Sequence, residues 1–324
     1  MSKDVDSPTT ASKVRWVDIT EDDAGQRLDN FLFRILKGVP KSRVYRALRH
    51  GEVRINKKRV KADYRLQAGD LLRVPPVRVA ERPAVFVSDK TLETIENAIV
   101  YEDEQILVVN KPSGIAVHGG SGVDFGLIEA VRKLRPDCKR LELAHRLDRD
   151  TSGLTIIVKK SQVLRFIHQQ LREKSMEKTY LALVKGRWPR RKTQVDVGLQ
   201  KNVLKSGERM VYASPEGKPS KTLFRIAEVL QGATLIEASP VTGRTHQIRV
   251  HGLHAGFPLL GDSKYGDDEV SQFARQIGLE RLFLHASRVS FRLPDRAKPL
   301  VLEAPLPDEL KSIVEHLRLS ADGA

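Results

Sequence analysis

Between His145 and Asp150 the chain sets an imidazole, two guanidiniums and two carboxylates within six residues. The full run is Ala144-His145-Arg146-Leu147-Asp148-Arg149-Asp150-Thr151-Ser152-Gly153. With arginine on both sides, the Asp148 carboxylate is expected to carry its charge. Such a group serves as a nucleophile, a base or an electrostatic partner. The same composition also describes an ion-paired surface turn, because Asp, Ser and Gly build turns and ion-pair networks gather charge without chemistry.

Other residues invite a chemical reading. His246, His251 and His254 suggest a metal site, but they lack HExxH spacing and an obvious completing carboxylate. They read better as hydrogen-bond partners. Val117-His118-Gly119-Gly120-Ser121-Gly122 looks like a phosphate cradle or oxyanion loop, yet it has no GK[ST] ending, and no GxSxG elbow occurs in the chain. Tyr180, within Glu177–Val184, reads as a half-buried strand tyrosine. Cys138 is the only cysteine, which excludes an internal disulfide and a multi-cysteine zinc site.

These residues need elements to hold them. The apolar run Leu154–Val158 follows the charged cluster and predicts a strand that anchors a loop. Two strands around an acidic turn are expected over Ile99–Val109, and a helix over Phe125–Leu134 that stops before Pro136. Ser161 is placed to cap a helix carrying Leu164, Ile167 and Leu171 on one face. Strands are expected over Glu177–Val184 and Thr234–Ala238, with a loop from Glu208 to Lys221 between flanking strands. Pro307–Leu319 reads as a last helix, with Leu310, Ile313, Val314 and Leu317 inward.

Residues 1–13 are polar and read as a disordered tail. Leu28, Phe31, Leu32, Ile35 and Leu36 recur at helical spacing, and Pro40 opens a second helix whose apolar face is Val44, Ala47 and Leu48. Strands over Glu52–Ile55 and Leu71–Val74 follow, with turns at Asn56-Lys57-Lys58 and Gly69-Asp70. From Arg34 to Arg65 there are twelve Lys or Arg against two acids, Glu52 and Asp63. A solvated face usually mixes signs, so this one reads as a phosphate-binding surface. The expected division is therefore tail 1–13, small basic domain 14–76, linker 77–91 and large domain 92–324.

The chain has 324 residues and a formal charge of +15, enough for a substantial core in more than one domain and a polyanionic partner. No apolar run suits a membrane span and no signal peptide opens the chain, so a cytoplasmic protein is expected. Aromatic content is 6%, which argues for local rather than broad base stacking.

HRLDRDTSG closely resembles the catalytic loop of the RluA-type pseudouridine synthases, enzymes that isomerise uridine in RNA. Asp148 falls where that family has its essential aspartate. NKPSGIAVH is similar to the family's first motif, whose role is largely structural. The KxYxALV pattern puts Tyr180 at the active-site tyrosine. GRTHQIRVH resembles the third motif, which would set Arg249 against the aspartate and Ile248 beneath the target base. Over about Gly25 to Val74, the pattern RLDNFL…PKSRVYRALRHGEVRINKKRV…AGDLLRV resembles an S4 RNA-binding domain.

The resemblance implies an α+β protein: an α-L, S4-like domain plus a catalytic domain on a mixed, mainly antiparallel sheet. It implies isomerisation of several uridines in 23S ribosomal RNA of the large-subunit precursor, by a monomer using neither cofactor nor metal and binding no membrane. Arg146 would fill the space left by the flipped base, and Arg43, Arg46, Arg49, Lys57 and Lys58 are candidate RNA contacts. Two alternatives remain at this point: the same chemistry on another ribosomal or transfer RNA uridine, and a non-catalytic ribosome-assembly factor.

Overall fold

A computed structural model describes residues 13–36, 38–77, 86–119, 125–138, 140–203 and 209–319. The chain divides into two compact units, residues 1–85 and 86–324. Residues 1–12 of the expected tail, residues 78–85 of the expected linker and Gly120-Ser121-Gly122 of the glycine-rich run lie outside the described residues. Among the described residues, no helix is long and apolar enough to cross a membrane.

The first unit comprises β1 (Arg15–Asp18), α1 (Leu28–Ile35), α2 (Lys41–Arg49), β2 (Arg54–Ile55), β3 (Lys58–Arg59) and β4 (Leu71–Val74). Its sheet has the order β1-β4-β2-β3, every pair antiparallel. Leu28, Phe31 and Leu32 of α1 are buried with Val44, Ala47 and Leu48 of α2 against Leu72 and Val74, as their spacing predicts. Pro40 occupies the N-cap of α2, where its missing N–H costs nothing. The β2–β3 turn places two non-glycine residues in the left-handed region, Asn56 at φ 48° and Lys57 at φ 67°. That geometry matches the right-handed twist of a hairpin. Asn56 stabilises it: Nδ2 donates to Asp70 Oδ1 at 2.8 Å and Oδ1 accepts from the Leu71 N–H at 2.8 Å.

The second unit runs α3 (Asp89–Asn97), β5 (Ile99–Glu102), β6 (Ile106–Lys111), α4 (Leu127–Leu134), β7 (Glu142–Leu143), β8 (Ser152–Val158), α5 (Ser161–Glu173), β9 (Glu177–Lys185), β10 (Gln194–Asp196), β11 (Leu199–Val203), β12 (Arg209–Ala213), β13 (Lys221–Leu230), β14 (Ala233–Pro240), α6 (Gln247–His254), α7 (Asp268–Gln276), β15 (Leu284–Phe291), β16 (Leu300–Glu303) and α8 (Asp308–Leu319). The main sheet follows the path β10-β13-β14-β9-β15-β8-β6-β5, with β7 beside β8 and β16 beside β15. Among the described residues only β8 and β15 pair in parallel, so the sheet is mixed and mainly antiparallel. All seven residues of β8 are buried, Ser152 and Thr155 included, which is why its sequence does not alternate apolar with charged residues.

The alternation of β9 sorts its side chains between two cores. Tyr180, Ala182 and Val184 pack with Ile236, Ala238 and Ile248. Leu183 packs on the other face with Phe283 and with Leu310, Ile313, Val314 and Leu317 of α8.

Three details depart from expectation. Helix α3 starts inside the expected linker, because Ser88 caps it by accepting the Thr91 N–H at 3.3 Å. Ser161 is the first residue of α5 rather than its cap; Lys160 holds the N-cap without a side-chain hydrogen bond, and the Ser161 hydroxyl accepts from Arg140 instead. The expected loop before Lys221 contains β12, paired with β11 in a separate two-stranded sheet, while Glu208 lies outside the described residues.

Candidate active site

The parallel pair is what positions the charged loop. Gly153 stands opposite Ala286, and Ala286 stands opposite Tyr180, so the loop entering β8 lies two strands from the tyrosine. Together with the start of α6 they enclose a cleft of about 520 Å³. Asp148, Tyr180, Ile248 and Arg249 all line it, as do the apolar Leu147 and Leu284. Arg146, Arg172, Lys174, Lys178 and Arg244 give the lining a strongly positive character. This is the size of a small-ligand site.

The loop is tied down from below. Lys111 is fully buried at the end of β6, and its Nζ donates to the carbonyls of Pro112 (2.8 Å), Ile115 (2.8 Å) and Arg149 (3.1 Å). Ser113 Oγ adds a hydrogen bond to Asp150 O at 2.8 Å, and Gly114 N–H one to Arg149 O at 2.9 Å. The NKPSG motif therefore carries the structural role expected of it. Burial pushes Lys111 down to about 7, against the pull of Asp150 and Asp148.

Behind the loop, Arg281 donates to Ser152 Oγ at 3.1 Å and Ser152 Oγ lies 2.9 Å from His285 Nδ1. His285 Nε2 reaches Ala304 O at 3.1 Å. A serine hydroxyl beside a histidine can mimic a nucleophile pair, but both are buried and spent on holding the loop. His145 is anchored too, with Nε2 accepting the Ile156 N–H at 3.2 Å. Burial, with Lys178 adding to it, lowers His145 to about 4, so it is neutral at physiological pH.

Asp148 has two cationic or potentially cationic neighbours. Arg146 Nη2 is 3.9 Å from Oδ1 and His246 Nε2 is 3.9 Å from Oδ2. The expected partnership with Arg249 is not what the structure shows. Arg249 instead grips Asp262 in a bidentate pair, Nε to Oδ2 at 2.7 Å and Nη2 to Oδ1 at 2.6 Å. Asp262 is fully buried and also accepts from the Lys264 and Tyr265 N–H groups, so it demands a cation that only a planar fork beside it can supply. Burial, the largest single influence, works against the charge on Arg249, but the Asp262 hydrogen bonds and the charges of Asp262 and Asp148 together raise the group above its ordinary value.

Burial, helped by the Asp148 charge, pushes the Tyr180 phenol well above its usual range, which keeps it protonated. Burial likewise lowers Lys178, two residues away on the same strand face.

The three candidate metal histidines serve other ends. His251 is buried between Thr222 Oγ1 (2.8 Å) and Ser220 Oγ (3.1 Å), His254 is exposed, and His246 Nδ1 meets Tyr265 Oη at 2.8 Å. Among the described residues, no three or more His, Cys, Asp or Glu side chains gather as metal ligands.

Lys111 and Asp262 are working parts that no sequence motif singles out, and His246 takes the hydrogen-bonding role expected of it. A lysine continuing the buried run of β6 was the available signal for the first. In the first unit Arg46, Arg49, Lys57 and Lys58 are exposed, whereas Arg43 is half-buried and paired with Glu52 at 2.7 Å.

Comparison with known proteins gives the family. Residues 105–254 match the RNA pseudouridylate synthase family and residues 26–72 match the S4 domain. The chain is 53% identical over 320 residues to ribosomal large subunit pseudouridine synthase C of Pasteurella multocida, covering 98% of each chain. Its identity to the protein of the same name from Escherichia coli K12 is 54% over 317 residues, covering 96% of this chain and 98% of that one. The solved structure of human RNA pseudouridylate synthase domain containing 4 superimposes with a TM-score of 0.56 at 24% identity, over 70% of this chain and 95% of that one, and so shares the fold. The chain therefore belongs to the RNA pseudouridylate synthase family, as a member that also carries an S4 domain.

Proposed function

We propose that this enzyme converts selected uridines of 23S ribosomal RNA to pseudouridine through Asp148, as a cytoplasmic monomer without cofactor or metal. The observation that carries the reading is the Asp148 carboxylate, 20% exposed in a cleft that combines the apolar Tyr180 and Ile248 with a positive lining. The relatives named above, which act by name on the large ribosomal subunit, support the choice of substrate.

The reaction is an isomerisation. The N1–C1′ bond of uridine breaks, the base turns, a C5–C1′ bond forms, C5 gives up its proton and N1 ends with one. A stacked base shields these atoms, so the nucleotide is extruded into the cleft. Arg146, 68% exposed, is free to fill the gap and contact phosphate. Tyr180 and Ile248 offer apolar surface to the flipped ring; stacking on an aromatic side chain is worth about 1–3 kcal/mol. The protonated phenol is a donor, not a phenolate base. Asp148 acts either by attack on the sugar or by removing a sugar proton to give a glycal. Arg249 holds the wall of the site and adds positive potential.

Asp148→Asn keeps the shape and removes the anionic carboxylate. It is expected to abolish pseudouridine formation while RNA affinity persists, since phosphate contacts supply much of that affinity. Turnover above background in the variant, with product verified by mass spectrometry, would remove Asp148 from the chemistry. Mapping of 23S RNA from cells lacking the protein tests the substrate: an unchanged set of pseudouridines would redirect the search to another RNA.

A further inference from the structure

We propose that His246 is a positioning residue for the reaction: its Nε2–H faces the Asp148 carboxylate and orients it once Arg146 has moved into the RNA. The inference rests on the reading of Asp148 given above and deepens it.

The hydrogen bonds around Tyr265 are the basis for assigning the proton to one ring nitrogen. The Val211 N–H donates to Tyr265 Oη at 3.1 Å, so the phenol directs its own proton elsewhere. Its neighbour at 2.8 Å is His246 Nδ1, which accepts that proton in the assigned tautomer. The neutral ring then bears its hydrogen on Nε2, the atom 3.9 Å from Asp148 Oδ2. A shift of about 1 Å closes that gap to a hydrogen bond.

Arg146 lies at the same 3.9 Å from the other carboxylate oxygen, but its side chain is 68% exposed against 16% for His246. An exposed guanidinium is the one that leaves for phosphate, and the buried imidazole stays. The ring is also held edge-on to Tyr265, with centroids 5.6 Å apart and planes at 76°.

The bond to Tyr265 occupies Nδ1 and leaves Nε2 turned towards Asp148. His246 occupies the N-cap of α6, yet its side chain makes no capping hydrogen bond. Its backbone sits at φ 54°, a left-handed conformation that a non-glycine residue adopts at a cost, and which the surrounding packing must enforce. The charged and titratable groups that face it are Asp148, Arg249, Lys264, Asp262 and Tyr265. Burial lowers the imidazole, Asp148 and Asp262 oppose this, and Arg249 and Lys264 reinforce it, with a net shift below the ordinary value. The ring is thereby a neutral donor at physiological pH.

The test compares His246→Leu with His246→Gln in the full-length enzyme. RNA containing 5-tritiated uridine is supplied at saturation, and single-turnover tritium release is recorded alongside RNA affinity. Both side chains meet the same left-handed backbone, so that strain cancels in the comparison. His246→Leu should lose about 10²-fold in rate with affinity little changed, as expected when a reacting group is misplaced by about 1 Å. His246→Gln, whose amide N–H can replace Nε2–H, should recover at least about tenfold of this. The acid limb of its rate profile should also be less steep than that of wild type, because one titrating group is gone. Tyr265→Phe, which frees the ring, should slow turnover at saturation without weakening RNA binding. Equal rates for Leu and Gln, or an unchanged rate in Tyr265→Phe, would overturn the proposal. Wild-type enzyme with no product, or active Asp148→Asn, would instead overturn the reading on which it rests.

Discussion

Adding one methyl group at Gly153 should damage the catalytic unit far more than its volume suggests. Gly153 sits at φ 113°, and a Cβ there would lie 2.4 Å from Ala286 O and 2.5 Å from Ala286 N. Ordinary contact needs about 1 Å more, and neither atom can turn away, because both belong to the backbone of the paired strand β15. Overpacking of this kind costs about 1–3 kcal/mol, and a side chain at such a φ adds about 1–3 kcal/mol. Gly153→Ala should thus destabilise the second unit by about 2–6 kcal/mol, or roughly 5–15 °C in melting temperature for a unit of this size. Calorimetry of the full chain is the measurement. The strain should also reach the chemistry, because Ala286 stands opposite Tyr180 and any parting of β8 from β15 moves the tyrosine relative to Asp148. A transition within about 2 °C of wild type, with unchanged single-turnover rate, would refute the claim that this close approach sets the site.

Further outcomes are expected elsewhere. Arg46→Ala and Arg49→Ala should each flatten the salt dependence of RNA affinity by up to about one unit of log–log slope, measured by filter binding. Arg43→Ala should do so less, because that guanidinium is engaged by Glu52 at 2.7 Å. Arg249→Met should cost about 3–5 kcal/mol in urea unfolding by stranding the buried Asp262, and replacing both partners with apolar residues should recover much of it. Acid should unfold the second unit through its buried histidines. His145, His251 and His285 are each lowered to about 4, so the unfolded chain binds more protons below about 6.5. Their contribution is fully present above about pH 6.5 and is lost as pH falls towards 4, and denaturant midpoints across that window read it directly.

Much of this architecture was legible in the sequence because local pattern and burial agree. The helical spacing of Leu28, Phe31 and Leu32, and of Leu310, Ile313, Val314 and Leu317, is the spacing that the cores use. The loop of Asp148 stood out because charge was so dense beside an apolar strand. Features set by distant contacts were not legible. Nothing near Arg249 announces that Asp262 will claim it, since the tie is closed by a turn thirteen residues on. The role of His246 depends on a phenol nineteen residues away and a backbone N–H from β12. β1 was passed over because only one of its four residues is even partly buried, leaving no alternation to read. The cap of α3 lay hidden in a stretch whose prolines and charges masked Ser88.

The buried Arg249–Asp262 pair gives the site an electrostatic interior that dissolved ions do not reach. At physiological ionic strength, charges in water lose sight of one another beyond about 8 Å, but a pair with side chains 6% and 0% exposed is screened far less. The guanidiniums of Arg46, Arg49 and Arg146 are open to solvent, and any attraction they exert on a phosphate weakens with every added ion. Salt thereby acts on this enzyme as a scalpel, dividing capture of the polymer from rearrangement of the captured base. The first step belongs to the medium, and the second to the protein.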